Sequence, residues 1–325
     1  MDPFETRRLG TTTLRVPTLG LGTAPLGGWP TAVPAQQALS TVKRAWQSGI
    51  RYFDTAPFYG HGLSEEHLGH LLPAYPRDDF IVSTKVGRLL VDGPPGESLF
   101  QGIPERQVVP DLSYPAVLSS LQSSLKRLGL DRVDVALIHD PDDHHNEAMN
   151  GAYRALADLR RDSVISAVGV GMNWSGPLAR FVSEGDFDCV LCAGRYTLLE
   201  QNALDDLFPV ALERSVSVIL GGVFNGGLLI TPGPSSSYNY EPAPPDIVDR
   251  AVRLEAACRQ FDVPLRVAAL QFAVSHPAVT TVVVGARTPE EVEDTLSLFA
   301  AEVPTELWNA LKHDGLVRED APVPN

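Results

Sequence analysis

Four side chains in the first half of the chain have the types needed to move a proton: Asp54 in Phe53-Asp54-Thr55-Ala56, Tyr59 in Pro57-Phe58-Tyr59-Gly60, Lys85 in Ser83-Thr84-Lys85-Val86 and His139 in Leu137-Ile138-His139-Asp140. A free phenol, with a pKa of about 10, holds its proton too tightly to act as a base near neutrality. An ammonium beside it favours the phenolate, a carboxylate fixes that ammonium, and an imidazole orients the oxygen of a bound substrate. Singly, each residue has a plain alternative: Asp54 as a loop cap, Tyr59 on a rim, Lys85 as a surface cation, His139 at a strand end. Together they stand at, or just past, the ends of three consecutive apolar runs, and that shared position argues for chemistry.

The elements that must position them repeat along the chain. Strand candidates are Leu19 to Thr23, Tyr52 to Ala56, Phe80 to Lys85, Val133 to His139, Val164 to Val170, Asp188 to Ala193, Val216 to Gly221 and Thr280 to Gly285. Between them the apolar spacing predicts helices over Ala35 to Ser48, Ser64 to Leu72, Tyr114 to Leu128, Glu147 to Arg161, Gly176 to Ser183, Gln201 to Arg214, Leu265 to Ser275 and Pro289 to Phe299. Ser64 and Thr288 stand as cap candidates before acidic first turns. Strands alternating with helices call for a parallel sheet, and eight such units in 325 residues predict a single (β/α)8 TIM barrel domain spanning 1–325, with a doubly wound open sheet as the alternative.

Arg7-Arg8-Leu9-Gly10 and Leu14-Arg15-Val16-Pro17 read as an N-terminal β-hairpin able to cap the barrel's bottom. Gly87 to Pro110, Gly222 to Pro245 and the tail from Val303 exceed ordinary connections and read as functional loops; the first two follow strands, which places them at the C-terminal mouth. A net charge of −14 disfavours nucleic acid and anionic membrane surfaces as partners. With no leader pattern and no membrane-length apolar run, the expected location is cytoplasmic, and the expected state is a monomer or small homo-oligomer. Cys189 and Cys192 have Cys-x-x-Cys spacing but lie in a strand run, where positions three apart face opposite ways, so they read as buried core thiols. The His139-Asp140-Pro141-Asp142-Asp143-His144-His145 run has metal-capable groups without a fixed chelating geometry, so no metal is expected. Gly20-x-Gly22 lacks the third glycine of a dinucleotide fingerprint, Pro25 standing there.

Asp54, Tyr59, Lys85 and His139, in their Asp-Thr-Ala-x-x-Tyr-Gly and Ser-Thr-Lys contexts, resemble the tetrad of the aldo-keto reductases, and the likeness covers nearly the whole chain. It implies hydride transfer between a nicotinamide cofactor and a carbonyl carbon, Tyr59 carrying the proton, Lys85 and Asp54 tuning it, and His139 orienting the substrate oxygen. Gly22 and Thr23, with Asp54, match cofactor-contacting positions, and Asn173 matches a carboxamide-holding asparagine whose alternative is a helix cap. Gly221, Gly222 and Phe224 follow the seventh strand, where backbone N–H groups approach a pyrophosphate; Gly221 stands where many members stack a tyrosine, and Phe224 is a substitute stack or a lid. Ala193 stands where a glutamine is common. After the last strand, Gly285-Ala286-Arg287-Thr288-Pro289-Glu290-Glu291 sets one arginine against two glutamates, so NAD is expected over NADP, with Arg287 and Glu291 at the adenosine end.

The segments 22–27, 193–199 and 139–142 look most like the branch containing aldose 1-dehydrogenases such as L-fucose or D-threo-aldose dehydrogenase. That implies oxidation of an aldose at C1 to the lactone, with Trp29, Phe58, Trp174 and Arg195 as candidate sugar contacts. A pyridoxal or general aldehyde or ketone oxidoreductase is the alternative, and a nicotinamide-binding regulatory subunit with little turnover is the reading from a different class.

Overall fold

Short β-branched runs bounded by turn residues join edge to edge into one closed sheet. In the computed structural model, which describes residues 1–324, the strands are β1 (Leu19–Gly22), β2 (Tyr52–Asp54), β3 (Ile81–Val86), β4 (Val135–His139), β5 (Ala167–Met172), β6 (Cys189–Ala193), β7 (Ser217–Gly221) and β8 (Val279–Gly285). Each is parallel to the next, and β8 returns to β1 with Val282 opposite Leu19 and Gly285 opposite Gly22. The barrel is therefore closed, and the open doubly wound sheet is excluded.

Side chains alternate across the strands, dividing the core into two layers. Tyr52, Leu137, Leu191 and Ile219 fill the barrel, while Phe53, Ile138, Val170 and Leu220 face the helices. Cys189 belongs to the inner layer and Cys192 to the outer, both free and buried, so the two thiols do point apart. The N-terminal hairpin, Thr6–Arg8 against Arg15–Pro17, inserts Leu9 and Val16 into the inner layer and closes the bottom. Its turn needs Gly10: φ is +55°, and a Cβ there would lie 2.3 Å from the Asp188 carbonyl oxygen.

Ten helices of seven or more residues surround the barrel among the described residues: α1 (Ala35–Gln47), α2 (Leu63–Gly69), α3 (Tyr114–Leu128), α4 (Arg154–Arg161), α5 (Ser175–Glu184), α6 (Leu207–Arg214), α7 (Pro245–Arg259), α8 (Leu265–Ala273), α9 (Pro289–Ala300) and α10 (Thr305–His313). The helix expected from Glu147 is broken by a π-helical stretch, Ala148–Tyr153, around Gly151, where a Cβ would sit 2.2 Å from the Leu112 carbonyl oxygen. β5 begins three residues later than the spacing predicts, because Ser163 turns left-handed (φ +59°) and Val164 N–H closes the end of α4 on Leu159. Gln201 does not start α6; its amide donates to the Thr197 and Leu198 carbonyls, and Asp206 caps the helix instead.

The three long segments hold more order than loops would. Residues 87–110 contain an antiparallel ribbon, Arg88–Asp92 with Arg106–Pro110. Residues 222–245 fold around a turn at Asn225–Gly227 and a short ladder pairing Ser237 with Pro242 and Tyr238 with Glu241. The tail from Val303 is not a mouth loop: it forms α10, which buries Leu307, Trp308 and Leu311. No described helix is long and apolar enough to cross a membrane.

Candidate active site

Parallel strands share a direction, so the residues ending β2, β3 and β4 converge at one mouth although far apart in sequence. Asp54 is the last residue of β2, and Lys85 and His139 stand at the ends of β3 and β4. Lys85 Nζ donates to Asp54 Oδ2 at 2.8 Å and to the Thr55 carbonyl at 3.0 Å, while Ser83 Oγ donates to Asp54 Oδ1 at 2.7 Å. The ion pair is dry, with side-chain exposures of 1% for Lys85 and 3% for Asp54. Such a pair persists because each charge is satisfied by the other and by further hydrogen bonds.

Tyr59 reaches the same point from the turn after β2, its ring centroid 4.5 Å from Lys85 Nζ and 5.8 Å from the His139 ring, edge to face. Burial pushes the Tyr59 phenol up to about 12, Lys85 being the strongest pull in the opposite direction and Asp54 adding to the rise. The Lys85 ammonium, opposed by burial, is nevertheless held above its ordinary value by Asp54 and then Tyr59. Burial, then Arg88 and Lys85, hold His139 well below its usual value, so its ring is neutral at physiological pH. The His139 Nδ1 is buried without a partner among the described residues, and Nε2 lies 3.5 Å from Asp140 Oδ2. A protonated phenol, a fixed ammonium and a neutral imidazole around one point are groups that can deliver a proton to an oxygen held between Tyr59 and His139.

The other sequence candidates divide. Gly22, Gly221 and Ala193 leave the tops of β1, β7 and β6 without bulky side chains, and an added Cβ at Gly22 or Gly221 meets nothing closer than 3.4 Å. Gly222 turns left-handed at φ +62° and leads to Asn225, whose buried Oδ1 has no partner among the described residues. Strand tops without bulky side chains, with a carboxamide whose nitrogen donates to the Gly194 carbonyl but whose oxygen is unpartnered, fit a flat ring and its polar substituents, so these residues suit a nicotinamide cofactor. Asn173 is half-buried at the end of β5 and is not the cap of α5, which Trp174 occupies without a side-chain bond. Phe224 packs its half-buried ring against the outer core.

Three candidates are spent on the protein itself. Thr23 is fully buried and donates its hydroxyl to the Asp54 carbonyl at 2.8 Å while accepting from Ser64, which therefore clamps two strand tops instead of capping α2; Gly62 occupies that cap. Gly285 makes room for Pro25, whose Cγ would lie 2.6 Å from an added Cβ. Arg195 is 2% exposed and donates to Glu200 Oε1 at 2.9 Å and Asn239 Oδ1 at 2.8 Å, with its guanidinium 4.2 Å from the Trp174 ring centroid. It latches the loop after β7, helped by Tyr238 donating to Glu200, and is not open to a sugar. Phe58 does line the mouth, 5.8 Å from His139. Trp29 meets the edge of Tyr240 at 6.0 Å.

Sequence reasoning missed Ser83, Arg88, Asp140 as a site residue, and Tyr240. Ser83 was findable, since it lies two residues before Lys85 and so on the same face of β3. Arg88 and Tyr240 sit in segments without periodicity. Tyr240 leans over the mouth: burial raises its phenol, Asp140 adds to that, and Asn173, Arg88 and Lys85 oppose it. His144 and His145 pair with Glu147 and Glu184 at 3.3 and 2.7 Å and take no part in the site.

Residues 18–313 match the model of the aldo/keto reductase family. The chain belongs to that family. This aldo/keto reductase is 39% identical to a D-threo-aldose 1-dehydrogenase from a Pseudomonas species, over 94% of its own length and 95% of the relative's. It is 38% identical to a pyridoxal 4-dehydrogenase from Microbacterium luteolum, over 96% and 98%. Among solved structures, the holo form of the aldo-keto reductase AKR11C1 from Bacillus halodurans superposes with a TM-score of 0.77 at 25% identity, covering 99% of this chain and 98% of that one. The reductase is thus an oxidoreductase of a family that uses nicotinamide cofactors.

Proposed function

We propose that this aldo/keto reductase oxidises a small aldose at C1 to its lactone, with NAD as the preferred acceptor. The carrying observation is the ammonium of Lys85 held dry between Asp54 and the Tyr59 ring. Gly22, Gly221, Gly222 and Asn173 would hold a nicotinamide cofactor, which when bound would supply the acceptor for the C1 hydrogen as hydride. Tyr59 takes the proton of the C1 hydroxyl, and the C1–O bond becomes a carbonyl. Lys85, fixed by Asp54, favours the phenolate that Tyr59 must become, while neutral His139 holds the substrate oxygen. In the reverse direction Tyr59, protonated at rest, delivers its proton to the carbonyl oxygen.

The NAD preference is supported by Glu291. Its carboxylate accepts from the Arg287 backbone N–H at 2.7 Å and from Arg287 Nη2 at 2.8 Å, so the one cation of residues 285–291 is already neutralised. A 2′-phosphate would meet that carboxylate, whereas a ribose hydroxyl can donate to it.

A pyridoxal or simple aldehyde is the second reading, favoured by the 38% identical pyridoxal 4-dehydrogenase. The regulatory-subunit reading is disfavoured by a complete tetrad. A screen of aldoses, pyridoxal and small aldehydes with each cofactor, followed by the absorbance of reduced nicotinamide, separates these. Lactone formation from an aldose supports the first reading; oxidation of pyridoxal alone replaces it with the second, and turnover of none overturns both.

A further inference from the structure

Side chains alternate along a strand, so the residue after an inward-facing strand-end histidine is due to point toward the helices. Asp140 departs from that rule. Its φ of +42° is left-handed, a conformation Asp tolerates better than most residues, and its carboxylate returns beside His139, with Oδ2 3.5 Å from Nε2. Arg88 comes from the other side. Gly87, at φ +98°, turns the chain after β3 at a point where a Cβ would lie 2.6 Å from Leu112 Cδ2. The Arg88 guanidinium then lies 4.3 Å over the Phe58 ring, and Nη2 donates to Asp140 Oδ2 at 2.8 Å.

This pair is neither sealed nor saturated. The side chains keep 23% and 27% exposure. Among the described residues, Arg88 Nε and Nη1 and Asp140 Oδ1 have no hydrogen-bond partner. A partly exposed ion pair adds little stability, so stability does not account for a left-handed aspartate built against His139, the histidine that faces the substrate oxygen. What remains open is a set of charged donors with an adjacent charged acceptor, next to the place where the reacting carbon must lie. A hydroxyl group matches such a set, because it accepts from the guanidinium through its lone pairs and donates to the carboxylate.

We propose that Arg88 and Asp140 form a subsite for the hydroxyl on the carbon next to the reacting one, so that the enzyme selects α-hydroxy carbonyl compounds and their cyclic hemiacetals. The proposal rests on the hydride-transfer reading above and narrows its substrate class. A substrate lacking that hydroxyl leaves the charged groups without their partner when water is displaced, which lowers kcat/KM by about tenfold to a hundredfold. Phe58, under the guanidinium, keeps Arg88 from swinging away and gives the carbon chain an apolar wall.

The test is the reduction of glyceraldehyde against propanal, which lacks both hydroxyls, by the wild type, Arg88→Met and Asp140→Asn. Comparing the ratio of the two kcat/KM values between proteins cancels the different hydration of the aldehydes and any general loss of activity. The wild-type ratio is expected to exceed its value in either variant by about tenfold or more. Where Arg88→Met does not fold, Arg88→Lys, which keeps the charge but loses the planar fork, serves with an expected ratio between the two. A ratio unchanged in the variants, with both substrates slowed equally, overturns the subsite and leaves Asp140 a positioning residue for His139. Equal use of the two aldehydes by the wild type also overturns the subsite while leaving hydride transfer intact; turnover of no aldehyde or aldose defeats the hydride-transfer reading itself.

Discussion

Replacing Lys85 with Met leaves the Asp54 carboxylate in a site where its side chain is 3% exposed and only the Ser83 hydroxyl still bonds it. Removing one partner of a buried pair costs about 3–5 kcal/mol. An independent bound comes from proton uptake: a carboxyl of ordinary value near 3.9 escapes its charge at about pH 7 for three pH units at about 1.4 kcal/mol each, or about 4 kcal/mol. The two agree, and the second fixes a sign. The folded variant binds a proton that the unfolded chain releases, so its stability falls as pH rises, by up to about 1.4 kcal/mol per unit between about pH 5 and 7. In the wild type, by contrast, Lys85 is held above its ordinary value, so its contribution is complete below about pH 10 and is lost only as pH climbs through the folded value. Urea denaturation of wild type, Lys85→Met and the double variant Asp54→Asn/Lys85→Met, at about pH 5 and 7, measures all of this. The double variant, which buries no lone charge, is expected to recover most of the loss. A single-variant loss under about 1 kcal/mol at neutral pH, or no pH dependence, would refute the dry ion pair.

Two further outcomes follow from the same site. With Tyr59 pushed up to about 12, aldose oxidation is expected to speed up with pH, kcat/KM rising about tenfold per unit from about pH 7 to 9, while aldehyde reduction stays flat over that range because Tyr59 stays protonated and His139 stays neutral. A flat oxidation profile would contradict Tyr59 as the base. Glu291→Gln, which frees Arg287 from its carboxylate partner, is expected to move the NADP-to-NAD ratio of kcat/KM toward NADP by about tenfold, and an unmoved ratio would remove Glu291 from cofactor choice.

The eight strands were legible because each is a short β-branched run whose ends are marked by turn residues, and eight parallel strands leave little choice but closure. The tetrad was legible for a related reason: strand tops in a barrel are neighbours, so position relative to a strand end replaces proximity in sequence. What escaped the sequence depended on the path of the chain after a strand. Arg88 and Asp140 meet only because Gly87 and Asp140 turn left-handed, and no periodicity records that. Arg195, beside a strand end, resembled a substrate contact, yet its guanidinium is committed to Glu200, five residues on, and to Asn239 in the aperiodic loop after β7. α7 and α10 were missed because Pro and Gly surround them, although their apolar faces pack as firmly as those of the barrel helices.

The proposed hydride transfer depends on the phenol of Tyr59 being the group that gives and takes the proton. Tyr59→Phe removes one oxygen and leaves the Lys85–Asp54 pair and the cofactor floor in place, so turnover and cofactor binding can be measured on the same protein. Cofactor affinity within about threefold of wild type, with turnover lowered about a hundredfold or more in both directions, is the predicted result. Turnover near that of the wild type would contradict it.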